Sequence, residues 1–159
     1  MEKKNIIDKI IEKLEKEIEI LDEAVGSIHH ASVEAPGAMQ SHSDTSKFQN
    51  KTSEENTILA LNTKKQELTA IKNIPVTEKP TEARIGACVL VDDSGIEKRF
   101  IILPGGAGIE AWDSETFDCY TAITPDSPLG KALVGKREGS IAMAKIGSKE
   151  KKLSVKKVW

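Results

Sequence analysis

Between residues 2 and 30 the apolar side chains fall in two interleaved rows, Ile7, Leu14, Leu21 and Ile28 in one and Ile11, Ile18 and Val25 in the other, so spacings of four and three alternate. That pattern draws a narrow seam along a long helix, and the seam needs a second helix to cover it. A rod of ~30 residues rising 1.5 Å each is roughly 45 Å long, and one stripe cannot hold it folded in water. The acids and lysines between the seam residues keep the other faces solvated, with Glu12 and Lys16 in the favourable acid-before-base order. The covering helix is predicted over residues 53–73, where Ile58, Leu61, Leu68 and Ile71 share a stripe interrupted by Lys65. Ser53 is its expected N-cap, and Pro75 ends it by restricting Ile74. Residues 31–52, rich in Ser, Thr, Asn and Gln and carrying Pro36-Gly37, form the expected polar tip. The expectation is an antiparallel coiled-coil hairpin over residues 1–75 and hence a monomer. A parallel dimer built on the first helix alone would satisfy the same rows.

Residues 76–82, bracketed by Pro75 and Pro80, read as a linker, and beyond them the periodicity becomes that of strands. Strands are predicted over residues 84–91, 99–103, 109–112, 117–124, 140–146 and 153–158. Asp92-Asp93-Ser94-Gly95 is a hairpin turn and Pro104-Gly105-Gly106-Ala107-Gly108 a second loop. One short helix is expected over residues 127–134, with Ser127 capping, Pro128 in the first turn and Gly135 as the stop. The chain is therefore read as α+β, a helical hairpin followed by a small antiparallel sheet domain with one helix at residues 83–159.

Charge and motifs narrow the function classes. With 23 basic and 25 acidic residues the formal net charge is −2, which leaves no diffuse positive field for duplex DNA. Sequence-specific DNA binding is not expected. No apolar run approaches ~20 residues, and the start, Met1-Glu2-Lys3-Lys4-Asn5, leads into charges, so a soluble cytoplasmic protein without membrane contact is expected. Cys88 and Cys119 lack Cys-x-x-Cys spacing and read as reduced thiols in strands, while a disulfide between them stays open. Leu129-Gly130-Lys131-Ala132 fails as a phosphate loop, because Pro125 stands where the earlier glycine is needed and Ala132 cannot reach magnesium. The 104–108 loop lacks dinucleotide-binding spacing, and neither a Gly-x-Ser-x-Gly elbow nor a His-Glu-x-x-His motif occurs. His29, His30 and His42 gather near the tip with Glu34 and Asp44, a ligand set without fixed helical spacing. A free imidazole titrates near pH ~6.5, so three histidines there would make a tip function pH-dependent.

The segment Ile123-Thr124-Pro125-Asp126-Ser127-Pro128-Leu129-Gly130-Lys131-Ala132-Leu133-Val134-Gly135-Lys136-Arg137-Glu138-Gly139 resembles the signature of the Gre family of bacterial transcription elongation factors. In that family a Ser-Pro-hydrophobic stretch opens the lone helix of an FKBP-like domain, followed by Ala-Leu, Gly-Lys and a strand. The likeness extends more loosely over residues 83–159, and the amino-terminal hairpin fits the family's architecture. It implies docking of the carboxy-terminal domain at the rim of the secondary channel of core RNA polymerase, through Asp126, Ser127 and Pro128 with Leu129 and Lys131 beside them. The hairpin tip would then approach the polymerase active site and the 3′ end of a backtracked RNA. Residues 131–159 carry nine basic side chains against Glu138 and Glu150, which suits an acidic protein rim or a solvated face equally.

At the tip the sequence departs from the transcript-cleavage members of the family, whose Asp-Leu-Ser-Glu-Asn pattern supplies two acids to help hold a second magnesium ion. The counterpart here is Asp44-Thr45-Ser46-Lys47-Phe48, so Lys47 replaces one acid; in the other register Glu55-Asn56 matches but Thr52 replaces the aspartate. A lone carboxylate beside an ammonium holds a hard cation weakly. The expected protein is a regulator of transcription elongation with no cofactor of its own and no enzymatic activity of its own. Asp44, helped by Glu34 or Glu54, is its only tip contribution toward magnesium shared with the polymerase. The competing readings are a coiled-coil scaffold and an FKBP-like prolyl isomerase or chaperone. For the latter, Phe100, Trp112, Phe117, Tyr120 and Trp159 lie dispersed on different predicted strands.

Overall fold

The computed structural model describes residues 3–33, 43–75 and 80–159, the side chains of 31–33 and 43–50 excepted. The order is α1 (Lys3–Val33), α2 (Ser43–Lys72), β1 (Cys88–Asp93), β2 (Ile96–Ile102), β3 (Glu110–Trp112), β4 (Cys119–Ile123), α3 (Pro128–Leu133), β5 (Ile141–Ile146) and β6 (Lys149–Val158). Two compact units result: Glu15–Gln66, and Met1–Leu14 together with Glu67–Trp159.

In the first unit the two helices run antiparallel. Glu17 pairs with Lys64 at 3.1 Å and Asp22 with Lys65 at 3.3 Å, while His29, later on α1, pairs at 3.2 Å with Glu54, ten or more residues earlier on α2. Ile18, Leu21, Val25 and Ile28 are half-buried along α1. On α2, Leu61 is buried, but Ile58 is 38% exposed and Lys65 reaches across to Asp22 instead of interrupting a buried stripe. Two expectations need correction. α2 begins at Ser43, so Ser53 lies inside the helix and is not its N-cap. Residues 43–52 are helical rather than part of a tip loop, because Ser, Thr, Asn and Gln cost a helix only tenths of a kcal/mol each, about 0.5, and no Gly or Pro interrupts them.

In the second unit a six-stranded sheet has the order β3-β4-β2-β1-β6-β5. β1 and β2 form a hairpin around Ser94-Gly95, whose φ values of 58° and 92° suit the tight turn that matches strand twist, and Asp92 Oδ1 accepts from the Gly95 amide at 2.6 Å. The sheet is mixed, not antiparallel throughout: β4 pairs parallel with β2. The chain leaves β2, skips a place to form β3 at the edge, and returns as β4 between them, which forces β4 to run with β2. From β4 the chain must reach β5 at the far edge, and α3 makes that crossing over one sheet face. There Leu133 joins Val89, Val91, Phe100, Ile102, Ile123, Leu153 and Val155 in the main core.

The start of α1 and the end of α2 belong to this unit. Ile6, Ile7, Ile10, Leu14 and Ile71 are all buried, a wider apolar face than a two-row seam gives. The 104–108 loop explains the width. A Cβ on Gly105 would stand 2.5 Å from Glu67 Cβ, and one on Gly106 would meet Ile10, Ile109 and Ile71 at 3.4–3.5 Å. Gly106 donates its amide to Glu67 Oε2 at 3.1 Å. On α1, Lys13 Nζ donates to the Glu110 carbonyl and Lys9 Nζ to the Trp112 carbonyl, both at 2.6 Å. Four helical residues rise ~6 Å and two strand residues ~6.6 Å, so lysines four apart match alternate carbonyls of an edge strand. That edge is thereby closed to further pairing.

Gly105→Ala is expected to cost about 1–3 kcal/mol in urea unfolding, because the clash is with the α2 main chain as well as a side chain. Gly26→Ala, with nothing within 4 Å inside α1, should instead stabilise by about 1 kcal/mol.

Candidate functional site

α3 is set up by a turn that its own sequence dictates. Ser127 is extended at φ −64°, ψ 156°, its Oγ accepts from the Gly130 amide at 3.0 Å and donates to the Thr124 carbonyl at 2.7 Å. Pro128 occupies the first turn, where a missing N–H costs nothing. Gly130 is required by contact: a Cβ there would stand under 2.5 Å from the Thr124 carbonyl oxygen and 2.9 Å from Pro125 Cα. The helix stops at Gly135, φ 77°, whose amide donates to the Ala83 carbonyl at 2.7 Å, while Ala83 donates to the Lys136 carbonyl at 2.7 Å. Leu133 is thereby locked in the core, and the amino-terminal end of α3 is presented outward.

The five residues singled out in the sequence as docking candidates come together on that end. Asp126, Pro128 and Lys131 are exposed, Ser127 and Leu129 half-buried. Beside them lies an apolar cavity of about 270 Å³, lined by Ser127, Pro128 and Leu129 with Phe100, Ile123 and Ile146. Ile146, 41% exposed, comes from β5, so the cavity joins residues far apart in sequence. No motif in the sequence announces it.

The basic excess of residues 131–159 is partly spent inside the fold. Lys151 and Lys98 converge on Asp93 at 3.0 and 2.8 Å, Lys156 stands 3.5 Å from Asp92, Arg137 3.7 Å from Glu82, and Lys157 lies over the Trp159 ring. Lys131, Lys136, Lys145, Lys149 and Lys152 have no ion partner among the described residues. Hydrogen bonds from Lys98 and then Lys151 hold the Asp93 carboxyl below the ordinary carboxylate value.

Of the acidic tip candidates Asp44, Glu34 and Glu54, only Glu54 has a described side chain. Glu54 accepts from or pairs with His29 at 3.2 Å. His30 is exposed on α1, and Asp44 lies on the first turns of α2. Glu34 and His42 lie outside the described residues. Among the described residues no group of three His, Cys, Asp or Glu side chains is placed to hold a metal. Both cysteines are free: Cys88 is buried, its thiol pushed up to about 12 by burial, and Cys119 is raised by burial and by Glu110. Among the described residues no helix is long and apolar enough to cross a membrane.

The sequence matches no protein-family model, and no curated protein matches it. Similar solved structures include GreA factor homolog 1 (Gfh1) of Thermus thermophilus, 20% identical over 96% of this chain and 94% of that one, TM-score 0.37. Thermus aquaticus Gfh1 is 18% identical over 92% of both chains, TM-score 0.36. The elongation factor GreA/GreB from Nitrosomonas europaea is 18% identical over 60% of this chain and 78% of that one, TM-score 0.35.

Ser127→Ala should lower stability by about 1 kcal/mol, the ordinary value of an N-cap, and Gly130→Ala by distinctly more, both read by chemical unfolding. Because the folded Asp93 is more acidic than the unfolded one, its contribution is present above about pH 4 and is lost as pH falls through the lowered folded value. Asp93→Asn should therefore flatten the acid limb of the stability profile below pH ~4 and leave its neutral-to-basic shape unchanged.

Proposed function

We propose that this protein is a Gre-like regulator of transcription that binds core RNA polymerase through the amino-terminal end of α3 and acts through the far end of its helical hairpin. The observation that carries the reading is local. The stretch resembling the Gre signature folds as a Ser-capped, Pro-opened helix whose exposed residues Asp126, Pro128 and Lys131 border an apolar cavity. A capped, core-locked helix end is a rigid support, and a small apolar pocket rimmed by charge is the usual anatomy of a protein-binding hot spot.

In this reading residues 83–159 are an FKBP-like domain used for docking at the secondary-channel rim, and the antiparallel rod carries Asp44 and its neighbours toward the polymerase active site. The aromatics weigh against an isomerase pocket. Phe100 and Tyr120 are buried, Trp112 and Phe117 are 55% and 78% exposed, and only Phe100 and Phe117 share a cavity, one walled by the charged residues Glu97, Lys98, Arg99, Glu110 and Asp118. Asp44 beside Lys47 offers the shared magnesium ion one carboxylate, so the chain modulates the polymerase and contributes no full catalytic set of its own. The protein works in the cytoplasm as a monomer, in contact with polymerase and backtracked RNA.

Pull-down with bacterial core polymerase should succeed for the native chain and fail for a Ser127→Glu, Pro128→Ala variant that still folds. Binding retained by that variant would remove α3 from the interface. Scored in the same reactions, cleavage of a backtracked complex should be weak and should increase with Lys47→Glu; unchanged cleavage by a variant that still binds would discard the Asp44–Lys47 register.

A further inference from the structure

The two edges of the sheet are finished differently. β3 is three residues long, and Lys9 and Lys13 occupy its outer carbonyls, with Lys9 also bonded to Ser114 Oγ at 2.6 Å in the loop that follows. β5, at the other end of the strand order, is six residues long and pairs only with β6. Its register fixes which main-chain groups are left over. The two-residue turn Gly147-Ser148 is closed by the pair Ile146 and Lys149, and the closing pair of such a turn is a hydrogen-bonded one. Bonded and non-bonded pairs alternate, so Ala142, Ala144 and Ile146 use their N–H and C=O groups on β6, while those of Ile141, Met143 and Lys145 point out of the sheet. The Val155 amide, donating to the Ser140 carbonyl at 2.9 Å, keeps that alternation. Among the described residues none of these outward groups meets a main-chain partner.

The side chains along this edge leave it open as well. Ala142 and Ala144 lie in the core with Leu133, whereas Ile141 and Met143, on the other face, are 50% and 56% exposed. Native sheets blunt an open edge with charge, proline, a bulge or a covering segment, and β5 carries only Lys145. Across the β5–β6 ladder Met143 faces Lys152, Lys145 faces Glu150 and Ile146 faces Lys149. Lys145, Lys149 and Lys152 thus stand against one carboxylate, and none of the three has an ion partner among the described residues.

We infer that β5 is a strand-addition site, and that it takes an extended peptide of a partner protein with apolar residues opposite Ile141 and Met143 and carboxylates toward Lys145 and Lys149. Three outward residues exchange about six main-chain hydrogen bonds with an antiparallel strand, which supply affinity, and the alternate side chains supply selectivity. Charge decides against a second copy of this chain as the occupant. Pairing β5 with itself would set two lysine-rich hairpins edge to edge, whereas an acidic peptide neutralises one. The site is separate from the α3 end: it uses the main chain of β5 and the side chains of the face that α3 does not cover.

The probe is the peptide acetyl-Glu-Glu-Thr-Val-Thr-Val-amide, laid antiparallel so that its valines face Met143 and Ile141 and its second glutamate faces Lys145. In the free native chain the amides of Ile141, Met143 and Lys145 should exchange fast and those of Ala142 and Ala144 slowly, and the peptide should slow the first three about tenfold or more. N-methylation of the central valine should weaken binding about tenfold or more, while N-methylation of the threonine before it should leave affinity unchanged, because only the valine amide faces β5. Met143→Pro removes one outward donor and no ladder bond, so it should abolish binding with little change in thermal midpoint; the pair of N-methylated peptides decides the matter on the native chain alone. Equal affinity of those two peptides, protection that falls elsewhere, or no binding of the acidic peptide would overturn strand addition. A Lys-Lys-Thr-Val-Thr-Val peptide that binds as well as the acidic one would overturn the charge preference. Protection of the three amides that grows with protein concentration in the free chain would assign the edge to a second copy, and displacement of the peptide by a short oligothymidine would assign the face to nucleic acid; either result overturns the peptide as occupant.

Discussion

The close approach of the 104–108 loop to α2 is the contact on which the sheet-bearing unit depends. Gly105 lets two main chains meet where any Cβ would strike Glu67, and Gly106 follows by donating to the Glu67 carboxylate. With that loop seated, Ile10, Ile71 and Ile109 close over one another and the helix ends acquire a buried face. Lys9 and Lys13 then cover the outer carbonyls of β3. One glycine thus couples helix burial to the protection of a strand edge, and the loop after β3 inherits its order from the same lysine.

A second close approach has the same logic on the opposite sheet face. Gly130 admits the Thr124–Pro125 backbone against α3, Ser127 spends its hydroxyl on both a cap and that backbone, and Leu133 plugs the core. Rigid support beneath and solvent above leave Asp126, Pro128 and Lys131 available for a partner. The residues proposed to bind are exposed because the pieces that fold are short-range and satisfied: among the described residues no buried side-chain polar atom lacks a partner.

Much of this was legible from residue patterns. The two-row seam gives α1 to within a few residues, Ser127-Pro128 and Gly135 bracket α3, and Asp92 to Gly95 marks its hairpin. What escaped has physical reasons. The parallel β2–β4 pair depends on strand order, which local periodicity does not carry. The early start of α2 lacked a breaker to be misplaced by, and a polar stretch looks like a loop until a helix uses it. Ile6 and Ile10, flanking the seam, were a visible sign that the base of α1 meets more than one helix. Gly105 and Gly130 read as turn or failed-motif glycines, because a close approach between distant segments leaves no mark in local sequence. Phe117, read as the start of a strand, lies before β4 at φ 58°, a conformation that the apolar character of its side chain does not announce.

The central claim is that polymerase meets the α3 end of the sheet face. A photo-activatable residue at position 131, compared with one at position 152 beside core residue Leu153 and therefore on the opposite face, tests it most directly in a complex with core RNA polymerase. The account predicts a cross-link to a single polymerase segment from position 131 and none from position 152. Equal labelling from both positions, or labelling from position 152 alone, would contradict it.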